Sequence, residues 1–351
     1  MPTEAAALLV DQATRAYLDF ITDARGELVY AHWGGMTSMG QRAIDEYESR
    51  TGQSVVDDAA VRATLLDLPP MATFFRLQRT LQEATWQRII DACAPREADI
   101  VAELVATESR GPGSVRLQPA FRYPEYATVD IHIQPGGYTG HPLAGLIYDL
   151  GTQVFFGGGK VDAVHESVAQ KTAAPLDRRV ERIMDIGCSV GQMTCALKHC
   201  FPAAEVRGTD ISGPMVHYAH WRAVQRGCDV HFAQMPAEAL DVPDGYFDLV
   251  VAHILFHELP VGIIERVVTE AYRVLRPGGA FVIWDFPTAT DTNPSYANFM
   301  GIMDSADNGE PYALGFVHCG LEDIMKRAGF TLRSEDPTEI HTNGRIGDKT
   351  L

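Results

Sequence analysis

The sequence predicts an α/β protein: a doubly wound, mostly parallel sheet in the C-terminal half and a helical domain or cap in the N-terminal half. Three observations predict it. Short apolar runs alternate with helical stretches from about residue 179 onward. Before residue 106 the apolar residues recur at helical spacing, with no strand-like alternation. Between the two lies a stretch rich in Gly, Pro and aromatic residues. The expected division is residues 1–160, mostly helical and ending in an aromatic-rich connector or lid, and residues 161–351, the sheet domain.

In the first part, Leu8, Leu9, Gln12, Ala16 and Phe20 fall on one helical face, and Phe74, Leu77, Leu81, Ala84 and Ile89 form another stripe. Pro69-Pro70 separates two helices and Pro95 starts another, since proline suits only a first turn. Residues 110–160 hold Gly111-Pro112-Gly113, Pro135-Gly136-Gly137 and Gly157-Gly158-Gly159 among Phe121, Tyr123, Tyr126, His132, Tyr138, His141 and Tyr148. That composition reads either as a connector whose aromatics pack between domains or as a lid facing substrate.

From residue 180 the pattern predicts strands at 180–186, 205–211, 229–234, 247–252, 280–286 and 330–335. Helices are expected at 191–201, 212–227, 259–276 and 321–329, the third stopped by Pro277-Gly278-Gly279. Apolar strands alternating with helices mean a parallel sheet covered on both faces. Such sheets bind ligands at the carboxyl ends of their strands, beside the switch in strand order.

Composition narrows the partners. Of 351 residues, 46% are apolar, enough for a full core, and the length suggests two domains. The 46 Asp plus Glu against 29 Lys plus Arg give a formal charge of −17, which disfavours nucleic acid and anionic membrane as the main ligand. Cys93, Cys188, Cys195, Cys200, Cys228 and Cys319 form no CxxC pair and no zinc spacing, so reduced, mostly buried thiols are expected. The N-terminus has no basic leader pattern, and His253, His257, Glu258 and Pro260 break the longest apolar stretch. A cytoplasmic protein without a membrane span is the expectation.

The chemistry concentrates where the strand at 180–186 runs into Gly187-Cys188-Ser189-Val190-Gly191. Glycines at a strand-to-helix turn let a ligand approach the backbone. A dinucleotide fingerprint fails, because Ser189 and Gln192 stand where G-x-G-x-x-G needs glycine. Asp185 at the strand end would also repel a phosphate. An acid beside a Gly turn suits a ligand with an ammonium group and no phosphate, as in S-adenosyl-L-methionine (SAM). Asp210 ends the next strand, 25 positions on, where a carboxylate can accept both ribose hydroxyls. Ile211 and Met215 would flank the adenine.

Four blocks, MDIGCSVGQ, GTDIS, PAEALDVPDGYFDLVVAHILFHEL and EAYRVLRPGGAFVIWD, resemble in order and spacing the class I SAM-dependent methyltransferases of the UbiE-like small-molecule type. The resemblance covers residues 179–335. It implies a Rossmann-like sheet of seven strands and SAM as cofactor. It also implies that Asp185, Gly187, Cys188 and Gly191 contact the methionine part, Asp210 the ribose and Ile211 the adenine. Ala237 would lie near the base edge and His253 near the sulfonium. Many relatives carry an Asp just before that Ala, but here the position is Pro236, so the adenine contact must come from backbone or another residue.

The expected reaction is in-line methyl transfer to a small-molecule acceptor. A general base is needed only for a nucleophile that arrives protonated, and histidine is the natural candidate. His253 and His257 are therefore catalytic candidates, and Tyr138 is a third, as part of an aromatic wall suited to a sulfonium. The alternative for His257 is a helix-start histidine bonded to backbone. His253, His257 and Glu258 do not follow a metal-ligand order, so no metal is expected. His132 and Gln134 would share one face before a turn, with Tyr138 and His141 on the loop beyond. Tyr296, Phe299, Met300, Met303 and Tyr312 lie where related folds insert a substrate cover. Two alternatives remain open: a SAM enzyme that cyclises the aminobutyryl chain and releases methylthioadenosine, and a catalytically silent SAM-binding protein. Fold analogy alone makes a homodimer the expectation.

Overall fold

The computed structural model describes residues 11–53, 58–156, 161–291, 294–333, 338–339 and 342–350. Leu8, Leu9, Gly157, Gly158 and Gly159 and the end of the strand expected at 330–335 lie outside these. The chain begins with helices α1 (Gln12–Leu28), α2 (Trp33–Thr51), α3 (Asp58–Leu66), α4 (Pro69–Cys93) and α5 (Glu97–Thr107). Proline opens α4, as its missing amide allows. The α1 face expected to be buried is instead exposed at Gln12, Ala16 and Phe20, while Thr14, Ile21 and Arg25 are buried. Five turns of α4 bury Met71, Phe74, Phe75, Gln78, Gln82, Trp86 and Ile89, so polar side chains share the inward stripe.

Residues 110–156 contain more regular structure than their composition suggests. Strand β1 (Ser114–Arg116) joins the sheet, and α6 (Ala144–Phe155) is an apolar helix with most of its residues buried. Gly151 conceals that helix in the sequence. Its function is close approach, since a Cβ there would stand 2.1 Å from the Trp86 ring of α4.

Eight further strands follow: β2 (Arg182–Ile186), β3 (Glu205–Asp210), β4 (His231–Gln234), β5 (Phe247–His253), β6 (Leu275–Asp285), β7 (Phe330–Leu332), β8 (Thr338–Glu339) and β9 (Thr342–Lys349). Their order is β1-β4-β3-β2-β5-β6-β9-β7, with β8 on β9. Every pair from β1 to β6 is parallel, and β9 is antiparallel to β6, β7 and β8. The run from β4 to β7 has seven strands, the number the resemblance implies, although β9 falls in none of the six predicted ranges. β1 extends one edge and β8 adds a short hairpin. The strand of 280–286 starts earlier than expected, at Leu275, so the preceding helix stops at Val274.

Helices α7 (Val161–Ala173), α8 (Gln192–Cys200) and α9 (Gly213–Gln225) supply one covering layer; α10 (Val261–Val274) and α13 (Leu321–Ala328) supply the other. Strand alternation divides the core between them. Ile183, Leu249 and Val251 pack with Leu197, Val216 and Ala219, whereas Met184, Val250 and Ala252 pack with Ile264, Val267 and Val268. Burial on both faces is why these strands read as continuous apolar runs. The N-terminal helices pack on the same body: Trp86, Ile89 and Leu104 meet Ile147, Tyr218 and Trp221. Phe74 and Phe75 meet Phe299 and Met303 of α11 (Pro294–Asp307), which with α12 (Ala313–Val317) precedes α13.

Candidate active site

Strand order reverses between β2 and its neighbours β3 and β5, and a cavity opens at the carboxyl ends of these strands. Asp185, next to last in β2, is fully buried. Its Oδ2 accepts the Thr194 hydroxyl at 2.6 Å, and its Oδ1 has no partner. Burial pushes this carboxyl up to about 7, opposed by the Thr194 bond and reinforced by Asp210. The chain then turns at Gly187, where φ is +68° and a Cβ would sit 2.6 Å from Leu255 Cδ1. Only glycine suits that turn.

Asp210, the last residue of β3, spans the gap to this turn. Its Oδ2 accepts the Ser189 amide at 2.9 Å and its Oδ1 the Ser212 amide at 2.8 Å. Burial raises its carboxyl, and the two amides oppose that shift. Cys188 stays a thiol, held well above its ordinary value by burial and the Asp210 and Asp185 charges. Ile211 and Ala237 complete this wall.

Opposite stand Tyr138 and Tyr148, edge to face at 5.3 Å. The Tyr138 hydroxyl donates to Glu258 Oε1 at 2.8 Å, and burial and that carboxylate keep it a neutral phenol. His253 lines the cavity at the end of β5, 7% exposed, with Nε2 unpartnered and its ring against His165 at 4.8 Å. Burial, then His165 and His257, hold it well below the ordinary histidine value, so it is neutral. Ile254 follows in the left-handed region at φ 54°, a strained conformation for a β-branched residue.

The cavity thus gathers Asp185, Gly187, Cys188, Asp210, Ile211, Ala237, His253 and Tyr138. Three expected residues lie apart, and the first, Met215, is 1% exposed and packs with Trp86 and Tyr218 instead of lining the cavity. Gly191 caps α8 at φ +78° against the Phe232 ring. His257 is 1% exposed and does not line the cavity; its Nδ1 sits 2.7 Å from Asp285 Oδ1. Burial alone would lower it, but Asp285 and Glu310 raise it to about 10. A histidine charged at neutral pH has no lone pair with which to accept a proton, which runs against the expectation of a base there. The partner of His257 is a carboxylate rather than the backbone of the alternative reading.

The extended segment expected at His132 and Gln134 is instead a tight turn (Ile131–Ile133) with His132 at φ 55°. Gln134 is buried on the Gly137 carbonyl, and His141 accepts the Leu143 amide away from the cavity. Phe299 and Met303 are core residues, and Tyr312 donates to the Tyr126 carbonyl. The side chains of Tyr296 and Met300 fall outside the described set. Glu258 and His165 line the cavity although sequence reasoning gave neither a role; Glu258 was visible only as the neighbour of His257.

Comparison with known proteins now bears on this cavity. Residues 183–279 match the methyltransferase domain family. Demethylmenaquinone methyltransferase of Thermus thermophilus is 38% identical over 112 residues, 32% of this chain and 50% of that protein. Phosphatidylethanolamine N-methyltransferase of Cereibacter sphaeroides is 36% identical over 130 residues, 36% of this chain and 60% of that one. The ubiquinone/menaquinone biosynthesis C-methyltransferase UbiE of Methylobacterium nodulans is 33% identical over 141 residues, 40% and 54% of the two chains. The C-terminal half is a class I SAM-dependent methyltransferase domain.

The cofactor of this methyltransferase domain is SAM. The residues present fit it on one observation in particular: a buried carboxylate oxygen of Asp185 has no partner and faces a cavity wide enough to be lined by both strand ends. An orphaned buried anion is costly unless a donor completes it. The match spans about half the length of the first relative named. Among the described residues no helix is long and apolar enough to cross a membrane.

Proposed function

We propose that the whole chain transfers the methyl group of SAM to a small-molecule acceptor, in the cavity between the β2 and β3 strand ends and the aromatic wall. Bound SAM supplies a methyl already activated on a sulfonium, so the protein's task is alignment and exclusion of water. Asp185 would hold the ammonium group, with Gly187 and Cys188 along the methionine chain and Gly191 setting the helix that follows. Asp210 would take the ribose hydroxyls, Ile211 the adenine face and Ala237 the base edge. Tyr138 and Tyr148 present ring faces and edges to a cation. His253, neutral with Nε2 unpartnered, is a cavity group able to receive the acceptor's proton.

The unpartnered Asp185 oxygen carries this reading. The named relatives bear on the acceptor: one is a demethylmenaquinone enzyme and another a phosphatidylethanolamine N-methyltransferase, so domains of this kind serve chemically different acceptors. Selection then falls to the segments outside the matched residues 183–279, here the turn at Ile131–Ile133, α6 and the region after β6.

The test is incubation of the purified chain with SAM, with and without a library of small amines, phenols and quinols. Acceptor-dependent S-adenosylhomocysteine is the expected product. Methylthioadenosine from SAM alone would replace transfer with cyclisation, and absence of SAM binding would remove the proposal.

A further inference from the structure

Beside the aromatic wall, three ligand-type side chains from distant segments converge. His132 comes from the turn Ile131–Ile133, Glu258 from the turn Phe256–Glu258 after β5, and Glu310 from the loop after α11. One donor atom of each lies within 4.8 Å of the others. His132 Nδ1 is 2.7 Å from Glu310 Oε1, and its Nε2 is 3.6 Å from Glu258 Oε1. The second distance is long for a hydrogen bond.

Glu310 is the incompletely bonded member of this cluster. Glu310 is 1% exposed, and its Oε2 has no hydrogen-bond partner; His257 Nε2, equally buried and equally unpartnered, stands 3.6 Å away. Glu258, Glu310 and Asp285 pair with the imidazoles of His132 and His257, and Glu258 also accepts the Tyr138 hydroxyl.

The backbone is bent to make the arrangement. His132 and Ile133 are successive left-handed residues, at φ 55° and 50°, and neither is glycine. Such strain persists only where the surroundings fix it. Here the His132 carbonyl is held by Gln82 Nε2 at 2.7 Å and by Trp86 Nε1 at 2.8 Å. Two buried donors of α4 therefore set where the imidazole points.

We propose that His132, Glu258 and Glu310 bind one divalent transition-metal ion of the zinc class, with the fourth position open toward the cavity that Glu258 lines. One imidazole and two carboxylates suit such an ion, and three protein ligands with one open position is the arrangement of catalytic rather than structural sites. An acceptor oxygen in that position would be polarised by the ion. That use rests on the transfer reading above; the binding of the ion does not.

The experiment strips the full chain with a chelator and measures Zn2+ by equilibrium dialysis with mass-spectrometric metal analysis, and Co2+ by its visible spectrum. One ion per chain is expected, without thiolate charge-transfer bands. Glu310→Gln, which keeps shape and hydrogen bonding, should weaken it at least tenfold, as should His132→Ala, with melting curves checking the fold. No stoichiometric ion, or one held equally well by Glu310→Gln, overturns the proposal and leaves a pure ion-pair cluster. S-adenosylhomocysteine binding to the metal-free protein separates the two readings: if it persists while metal binding fails, only the metal site is lost.

Discussion

Asp210 accepts the backbone amide of Ser189 at 2.9 Å, so the acid that ends β3 also fastens the glycine turn that follows β2. Cofactor pocket and turn geometry therefore depend on one carboxylate. Asp210→Ala should weaken S-adenosylhomocysteine binding by about 1–3 kcal/mol, because charge-assisted bonds to the ribose and the Ser189 anchor are lost together. Titration calorimetry measures this directly. Affinity equal to the wild type would remove Asp210 from the site.

Asp185 gives the pocket a pH dependence whose sign can be worked out. Without ligand its carboxyl titrates near about 7, because the fold buries it. A cationic amino group binds the ionised form. Affinity should therefore rise as pH climbs through about 7, since protonation at lower pH erases the charge that attracts the ligand. Above pH ~8 the ligand's α-amino group loses its own proton and affinity falls again. Calorimetry from pH 5.5 to 9 in buffers of different ionisation enthalpy should show the peak and proton release below it. Asp185→Asn should abolish the acidic limb, and an unchanged limb would assign it elsewhere.

Gly151 is a packing contact. Ala at this position would drive its methyl group into the Trp86 ring, 2.1 Å from the built Cβ. The ring is fixed by its own hydrogen bond to the His132 carbonyl. Gly151→Ala should cost about 1–3 kcal/mol of stability, as overpacking does. Denaturant unfolding reads that loss, and a neutral result would mean that α4 and α6 separate easily.

What the sequence disclosed follows from where each feature keeps its information. The strands β2 to β6 are legible because Ile183, Met184, Val250 and Val251 are buried on both faces and leave uninterrupted apolar runs. Asp185, Gly187 and Asp210 are legible because the turn and strand end are local. Strand β9 is not, since in Thr342–Lys349 only Ile346 is strongly apolar, and Arg345 is buried by pairing with Asp291 rather than by its own hydrophobicity. Helix α6 hides behind its glycines. The His132, Glu258 and Glu310 cluster is invisible to spacing, because its members come from three segments and meet only through the fold. His257 misled for the opposite reason: its sequence neighbours suggested a base, but Asp285, 28 positions later, makes it a cation.

The aromatic wall allows a test that a merely structural role would not pass. Tyr138 and Tyr148 meet edge to face at the cavity, and the Tyr138 ring would lie beside a sulfonium carried by SAM but absent from S-adenosylhomocysteine. A cation over an aromatic ring gains ~0.5–2 kcal/mol, more when water is excluded. Tyr138→Leu should therefore weaken SAM by about that amount more than it weakens S-adenosylhomocysteine. Tyr138→Phe keeps the ring and loses only the bond to Glu258, so it should leave the difference between the two ligands intact. Paired calorimetric titrations of both ligands against both variants decide the matter. Equal weakening of the two ligands by Tyr138→Leu would show that the ring supplies shape to the cavity and no attraction for positive charge.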